Sequence, residues 1–204
     1  MLDSKGFDLW ANGYDVSVGI SDNDNKYPFA GYKEVLNEIY NCILESSAEN
    51  ILDIGFGTGT LTTKLYENGC NIFGQDFSNK MIELAKAKMP KSKLFEGDFS
   101  KGLVNELKKQ KYDAIIATYS LHHLEDEEKI NFINELLSLL NENGKIYIGD
   151  VAFETRDDLE KCKKKCGAGW DIEEIYFVYD EIKSFFKNIE FIKFSYCSGV
   201  VKIW

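Results

Sequence analysis

Five short apolar runs, NILDIGF, NIFGQDF, KLFEGDF, YDAIIATYS and GKIYIGDV, alternate with stretches whose apolar residues recur at helical spacing. A strand buried on both faces reads as a near-continuous apolar run, whereas a covering helix shows apolar residues every three or four positions. The alternation predicts successive strand–helix units, and right-handed crossovers place their helices on the faces of an open parallel sheet. The intervening helices are expected in GTLTTKLYENG, SNKMIELAKAKM, SKGLVNELKKQ and EDEEKINFINELLSLLNENG, with Ser78 and Ser100 as N-caps and Gly69 and Gly144 beyond C-termini. After the fifth run the pattern changes. ETRDDLEKCKKKC and DIEEIYFVYDEIKSFFK read as helices, then EFIKFSYCSG and VVKIW as strands joined through a Ser-Gly turn signal. The expected fold is α/β: a Rossmann-like, doubly wound seven-stranded sheet, mostly parallel with a C-terminal antiparallel hairpin. The 204 residues suit one domain, with 1–47 as an N-terminal arm and helix covering the pocket and 48–204 as the core.

Charge and cysteine usage narrow the partners. A formal net charge of -10 repels a phosphate backbone, and the lysines at 86, 88, 91 and 93 and at 161 and 163–165 alternate with acids or sit at helix ends, as solvated faces do. Nucleic acid is therefore not expected, and apolar runs of strand length give no membrane span. Five cysteines without a secretory pattern read as reduced thiols, and MLDSKGFDLWAN lacks the basic start and apolar middle of a signal peptide; the expected location is cytoplasmic. Cys162 and Cys166, one helical turn apart, have no neighbouring His or further Cys to complete a zinc set.

The first run leads into GFGTGT, the turn at which open parallel sheets bind ligands. Gly55, Gly57 and Gly59 allow a sharp turn and close backbone approach, while amides at the next helix start point outward as donors. Asp76 ends the second run about twenty residues on, where an acid accepts from ribose hydroxyls. A dinucleotide or another adenosine ligand would suit both features. A dinucleotide loop wants its third glycine at position 60, which is Thr60, and Asp53 suits an ammonium group better than a pyrophosphate. Adenosine joined to an amino acid describes S-adenosylmethionine.

LDIGFGTGTLT, GQDFSNKMIELAKAK, FEGDF and YDAIIATYSLHHLED together resemble the successive signature segments of class I S-adenosylmethionine-dependent methyltransferases. Within that class the chain is most similar to the small bacterial YrrT-like methyltransferases, in FDLWANGYD, YSLHHLEDEEK and LLNENGKIYIGD. The resemblance implies the class I fold with its terminal antiparallel pair. It also implies that Gly55, Gly57 and Gly59 contact the methionine part, with Asp53 near its ammonium and Thr118 beneath it through its backbone. Asp76 would hold both ribose hydroxyls, Phe77 and Met81 would pack around adenine, Asp98 would accept from its amino group and Phe99 would lie against the ring. Core packing is the competing reading for the apolar three.

Methyl transfer from a sulfonium needs binding and orientation more than a conspicuous catalytic side chain. If the acceptor has a proton to lose, a base helps, and His122 and His123 follow the fourth strand. His123 is the candidate catalytic base; capping or packing is the competing reading for both. Tyr14, with Trp10, belongs to the arm that folds over the pocket in similar enzymes, making Tyr14 a candidate cofactor contact and Trp10, Tyr32 and Trp170 candidate substrate contacts. TYSLHH stands where base-modifying amino methyltransferases carry an Asn-Pro-Pro-Tyr-like tetrapeptide, and no cysteine there offers covalent attack. The reading is an S-adenosylmethionine-dependent methyltransferase acting on a small molecule and releasing S-adenosylhomocysteine, with no metal. A non-catalytic S-adenosylmethionine sensor or scaffold is the alternative, ahead of an NAD-dependent oxidoreductase.

Overall fold

The structure is a computed structural model and describes residues 26–204. Its strands are β1 (Asn50–Ile54), β2 (Asn71–Asp76), β3 (Lys93–Glu96), β4 (Tyr112–Thr118), β5 (Leu140–Phe153), β6 (Phe177–Val178), β7 (Ile189–Lys193) and β8 (Ser198–Ile203). They are ordered β3-β2-β1-β4-β5-β8-β7, with β6 pairing aside with β5. β1 to β5 run parallel, and β8 is antiparallel to β5 and β7, as expected. The helices are α1 (Tyr32–Glu45), α2 (Thr60–Glu67), α3 (Asn79–Lys88), α4 (Asp126–Leu137), α5 (Arg156–Cys166) and the short α6 (Tyr179–Ile182).

Strand alternation splits the core between the sheet's two faces. Ile51, Ala114 and Ile116 pack with Val35, Ile39 and Ile43 of α1, Leu61 and Leu65 of α2 and Ile82 of α3. Leu52, Ile54, Ile115 and Ala117 face the other way, onto Phe132, Ile133 and Leu136 of α4. β1 pairs with β2 on one side and β4 on the other, so strand order reverses beside it and opens a crevice at its carboxyl end. Among the described residues no helix is long and apolar enough to cross a membrane.

Four local expectations are corrected. SKGLVNELKKQ is not a helix: only 3₁₀ turns at Phe99–Lys101 and Leu107–Lys109 form. Buried Gln75 explains this, because its Nε2 donates to Gly102 O at 3.0 Å and its Oε1 accepts from Val104 N at 2.8 Å. Those groups are tied to β2 instead of a helical ladder, and Asp98 caps the first turn where Ser100 was expected to start a helix. α4 stops at Leu137, and Gly144 lies inside β5, where register with β4 shifts between Tyr112 and Ala114. DIEEIYFVYDEIKSFFK splits into β6, α6 and a 3₁₀ turn, since consecutive Tyr176, Phe177 and Val178 are all buried, a pattern no helix face provides. The hairpin turns through residues 194–197, with the amides of Phe194 and Ser195 both donating to Ser198 O. Ser198 and Gly199 are strand residues, and a Cβ on Gly199 would lie 2.4 Å from the Phe191 ring.

Candidate functional site

The loop after β1 is held from both ends. Gly55 N donates to Gln75 O at 2.8 Å, and Gly59 N to Phe56 O at 2.9 Å. Gly57 N donates to Asp76 Oδ2, also at 2.8 Å. Each glycine meets a different demand. A Cβ on Gly55 would lie 2.6 Å from Ser120 Cβ, and one on Gly59 2.9 Å from Met89 Cε; Gly57 has φ +55°, and a Cβ there would meet nothing within 4 Å among the described residues. Gly57 therefore presents bare backbone to open space, an invitation to a ligand and not a packing device.

That space is a cleft at the carboxyl ends of β1, β2 and β4. Of the residues expected from sequence, Tyr32, Asp53, Gly55, Gly57, Asp76, Phe77, Met81, Phe99, Thr118 and His123 line it. Gly59 starts α2 behind the loop. Asp98 is not in the lining: its Oδ1 accepts from Ser100 N and Oγ, and its Oδ2 pairs with Lys101 at 2.9 Å. Trp170 also lies outside the lining, stacked on Tyr27 at 5.1 Å between ring centroids. Trp10 and Tyr14 fall outside the described residues.

Two acids dominate the cleft electrostatically. Asp53 is 1% exposed, and among the described residues its Oδ1 has no hydrogen-bond partner. Burial, with repulsion from Asp76, pushes its carboxyl up to about 8, against the lowering effect of the Thr62 side chain. A cation placed there would be stabilised by the charge that burial otherwise suppresses. Asp76 accepts from Gly57 N on one oxygen and from Ser78 N at 2.9 Å on the other, and a carboxylate oxygen can accept from more than one donor. Ser78 is the N-cap of α3, its Oγ accepting from Met81 N, which sets Met81 beside the cleft.

Sequence reasoning passed over Tyr119 and Ser120, which also line the cleft. Tyr119 adopts φ +51°, a conformation that costs a non-glycine residue and is concentrated at functional sites. Its ring packs against Tyr32 and Phe29 at 5.0 and 5.3 Å, building an aromatic wall, while Ser120 Oγ donates to Ile54 O. The available signal was position: both immediately follow a strand ending at the crevice.

The two histidines are in different states. His122 is buried with Nδ1 2.7 Å from Asp150 Oδ1, so that nitrogen carries a proton. Burial alone would lower its pKa, but Asp150 and then Glu174 more than offset this and the net shift is upward. His123 is lowered to about 4 by burial and the neighbouring imidazole, so it is neutral at physiological pH but weakly basic. Opposite them, Ile175 N donates to His122 O at 2.9 Å and brings Glu174 alongside. Farther off, Cys162 and Cys166 do face one way, Sγ to Sγ 3.9 Å, as free thiols.

The methyltransferase domain family matches residues 51–144. An uncharacterized methyltransferase of Alkaliphilus oremlandii is 34% identical over 190 residues, covering 90% of this chain and 86% of its own. Another, from Anoxybacillus flavithermus, is 38% identical over 154 residues, covering 76% and 69%. This chain belongs to the class I S-adenosylmethionine-dependent methyltransferases. Magnesium protoporphyrin IX methyltransferase from Synechocystis, solved with bound S-adenosylhomocysteine, shares the methyltransferase fold at a TM-score of 0.66 and 19% identity, over 85% of this chain and 83% of that one. The cofactor of this methyltransferase is accordingly S-adenosylmethionine, and the cleft fits it: the unpartnered buried Asp53 oxygen suits an ammonium and bare Gly57 permits close approach.

Proposed function

We propose that this methyltransferase moves the methyl group of S-adenosylmethionine to a small-molecule acceptor by in-line displacement, in the cytoplasm. The buried, unpartnered Asp53 carboxyl oxygen carries the reading. A carboxyl desolvated without a partner is costly, and the cofactor's ammonium is the cation that would relieve it. The cofactor brings an activated methyl on a positively charged sulfur. This chain's residues bind and orient: the loop at Gly55 and Gly57 faces the methionine part, with Gly59 setting the turn behind it. Thr118 lies beneath through its backbone, and Asp76 accepts from the ribose hydroxyls. Phe77, Met81 and Phe99 enclose the adenine, while Asp98, bonded to Ser100 and Lys101, lies outside the lining.

The aromatic wall of Tyr32 and Tyr119, next to Thr118, suits a compact acceptor and keeps water from the reacting centre. In this reading α1 contributes Tyr32 to the cover of the site. Since a base works best with a pKa near the operating pH, neutral, weakly basic His123 positions an acceptor rather than deprotonating it.

Calorimetric titration with S-adenosylmethionine, S-adenosylhomocysteine and NAD in parallel tests the site. Binding of both sulfur nucleosides without NAD is expected; preference for NAD, or no binding, overturns it. Release of S-adenosylhomocysteine with a small-metabolite pool, absent without it, separates an enzyme from a sensor.

A further inference from the structure

His122, His123 and Glu174 offer three ligand atoms that all lie within 4.8 Å of one another at the margin of the cleft, where His123 is a wall residue. We infer that they form a site for a divalent first-row cation of the zinc type. Two imidazoles and one carboxylate are the donor set of open zinc sites, which leave a position for a small ligand.

The geometry goes further than the residue types. His122 Nε2 is 3.5 Å from Glu174 Oε1. That is long for a hydrogen bond but close to the edge of about 3.3 Å expected between two ligands of a tetrahedral zinc. Both ligands are oriented from behind. Asp150 Oδ1 accepts a hydrogen bond from His122 Nδ1–H at 2.7 Å, the carboxylate–histidine arrangement that directs Nε2 towards a metal. Tyr176 Oη donates to Glu174 Oε2 at 2.5 Å, is bonded in turn to Tyr27 Oη, and leaves Oε1 facing the histidines. Charge also favours a cation, since Asp150 and Glu174 face the site while the nearby Lys129 ammonium is held by Asp126.

The site's consequence for acceptor choice rests on the methyl-transfer reading. An ion there would favour an acceptor carrying a donor atom that zinc can coordinate, and a hydroxyl is one such group. Coordination would lower that hydroxyl's pKa and release its proton to buffer. The oxygen pair would then bond the methyl carbon as the carbon–sulfur pair returns to sulfur, leaving a neutral thioether.

The test is Zn²⁺ titration of chelator-stripped full-length protein by calorimetry, with metal content measured after desalting and Co²⁺ as spectroscopic probe. Wild type, Glu174→Gln, His123→Ala and the Cys162→Ala/Cys166→Ala double variant are compared, each also titrated with S-adenosylhomocysteine. The expected result is one equivalent in wild type and in the cysteine variant, a tetrahedral Co²⁺ spectrum, and affinity at least about tenfold weaker in Glu174→Gln and His123→Ala. No retained zinc, zinc lost only with the cysteines, or unchanged affinity in Glu174→Gln overturns the site. Nucleoside binding without zinc sinks the metal alone, whereas zinc binding without the nucleoside sinks the methyl-transfer reading.

Discussion

Asp53 links the cofactor to protons. Its folded pKa, raised to about 8, means the free protein holds a proton that the unfolded chain has already lost. Stability of the free protein should therefore fall as pH rises from about 4 to about 8, since the native state binds more protons there. A bound ammonium favours the carboxylate, so S-adenosylmethionine affinity should rise by up to about tenfold per pH unit between about pH 5 and about pH 7, with proton release. Calorimetry in buffers of different ionisation enthalpy reads both effects, and Asp53→Asn should flatten the pH dependence while weakening binding. Gly57→Ala is a second case: at φ +55° an alanine costs roughly 1–2 kcal/mol, and its methyl enters the cleft. Cofactor affinity should drop about tenfold or more with a Tm loss of only a few degrees; equal affinity would mean nothing approaches that backbone. The placements of Asp53, Gly57 and Asp76 at one crevice follow from local spacing around two strand ends. Tyr119 and Ser120 were less visible because a residue's exposure to a cleft depends on which neighbours the fold sets opposite it.

At the scale of elements, strands and helices with one clear periodicity were legible, as α3 shows: Ser78 caps it and Met81, Ile82 and Ala85 form its buried face. The segment after β3 was not, although its apolar spacing also fits a helix. A single long-range partner, Gln75, captures its Gly102 carbonyl and Val104 amide. Gln75→Leu would leave both part-buried groups without that partner, and the expected cost is about 2 kcal/mol, a Tm drop of roughly 4–8 °C. Thermal unfolding measures it, and the Phe99 side of the cleft should loosen, weakening S-adenosylhomocysteine binding. An unchanged Tm would show that local helical propensity can supply the loop's hydrogen bonds instead. The stretch from 171 to 187 misled in the same way, its burial being set by β5 and not by its own helical periodicity.

For the whole molecule, a cofactor that binds only the native state adds stability by mass action. S-adenosylhomocysteine at a hundred times its Kd should contribute about 2.7 kcal/mol and raise Tm by roughly 5–10 °C, whereas NAD should not. A scan without that shift would contradict a native-state cofactor site. The sequence by itself determined the parallel α/β sheet, the antiparallel ending and the glycine loop with its acids, because strand and helix periodicities and turn residues act over a few positions. Only the tertiary structure decided that Asp53 is buried with one oxygen unpartnered among the described residues, that His123 is held neutral, and that Glu174 meets the histidines. Those properties arise from desolvation and proximity between segments about fifty to a hundred residues apart, and both come into being only when the sheet assembles.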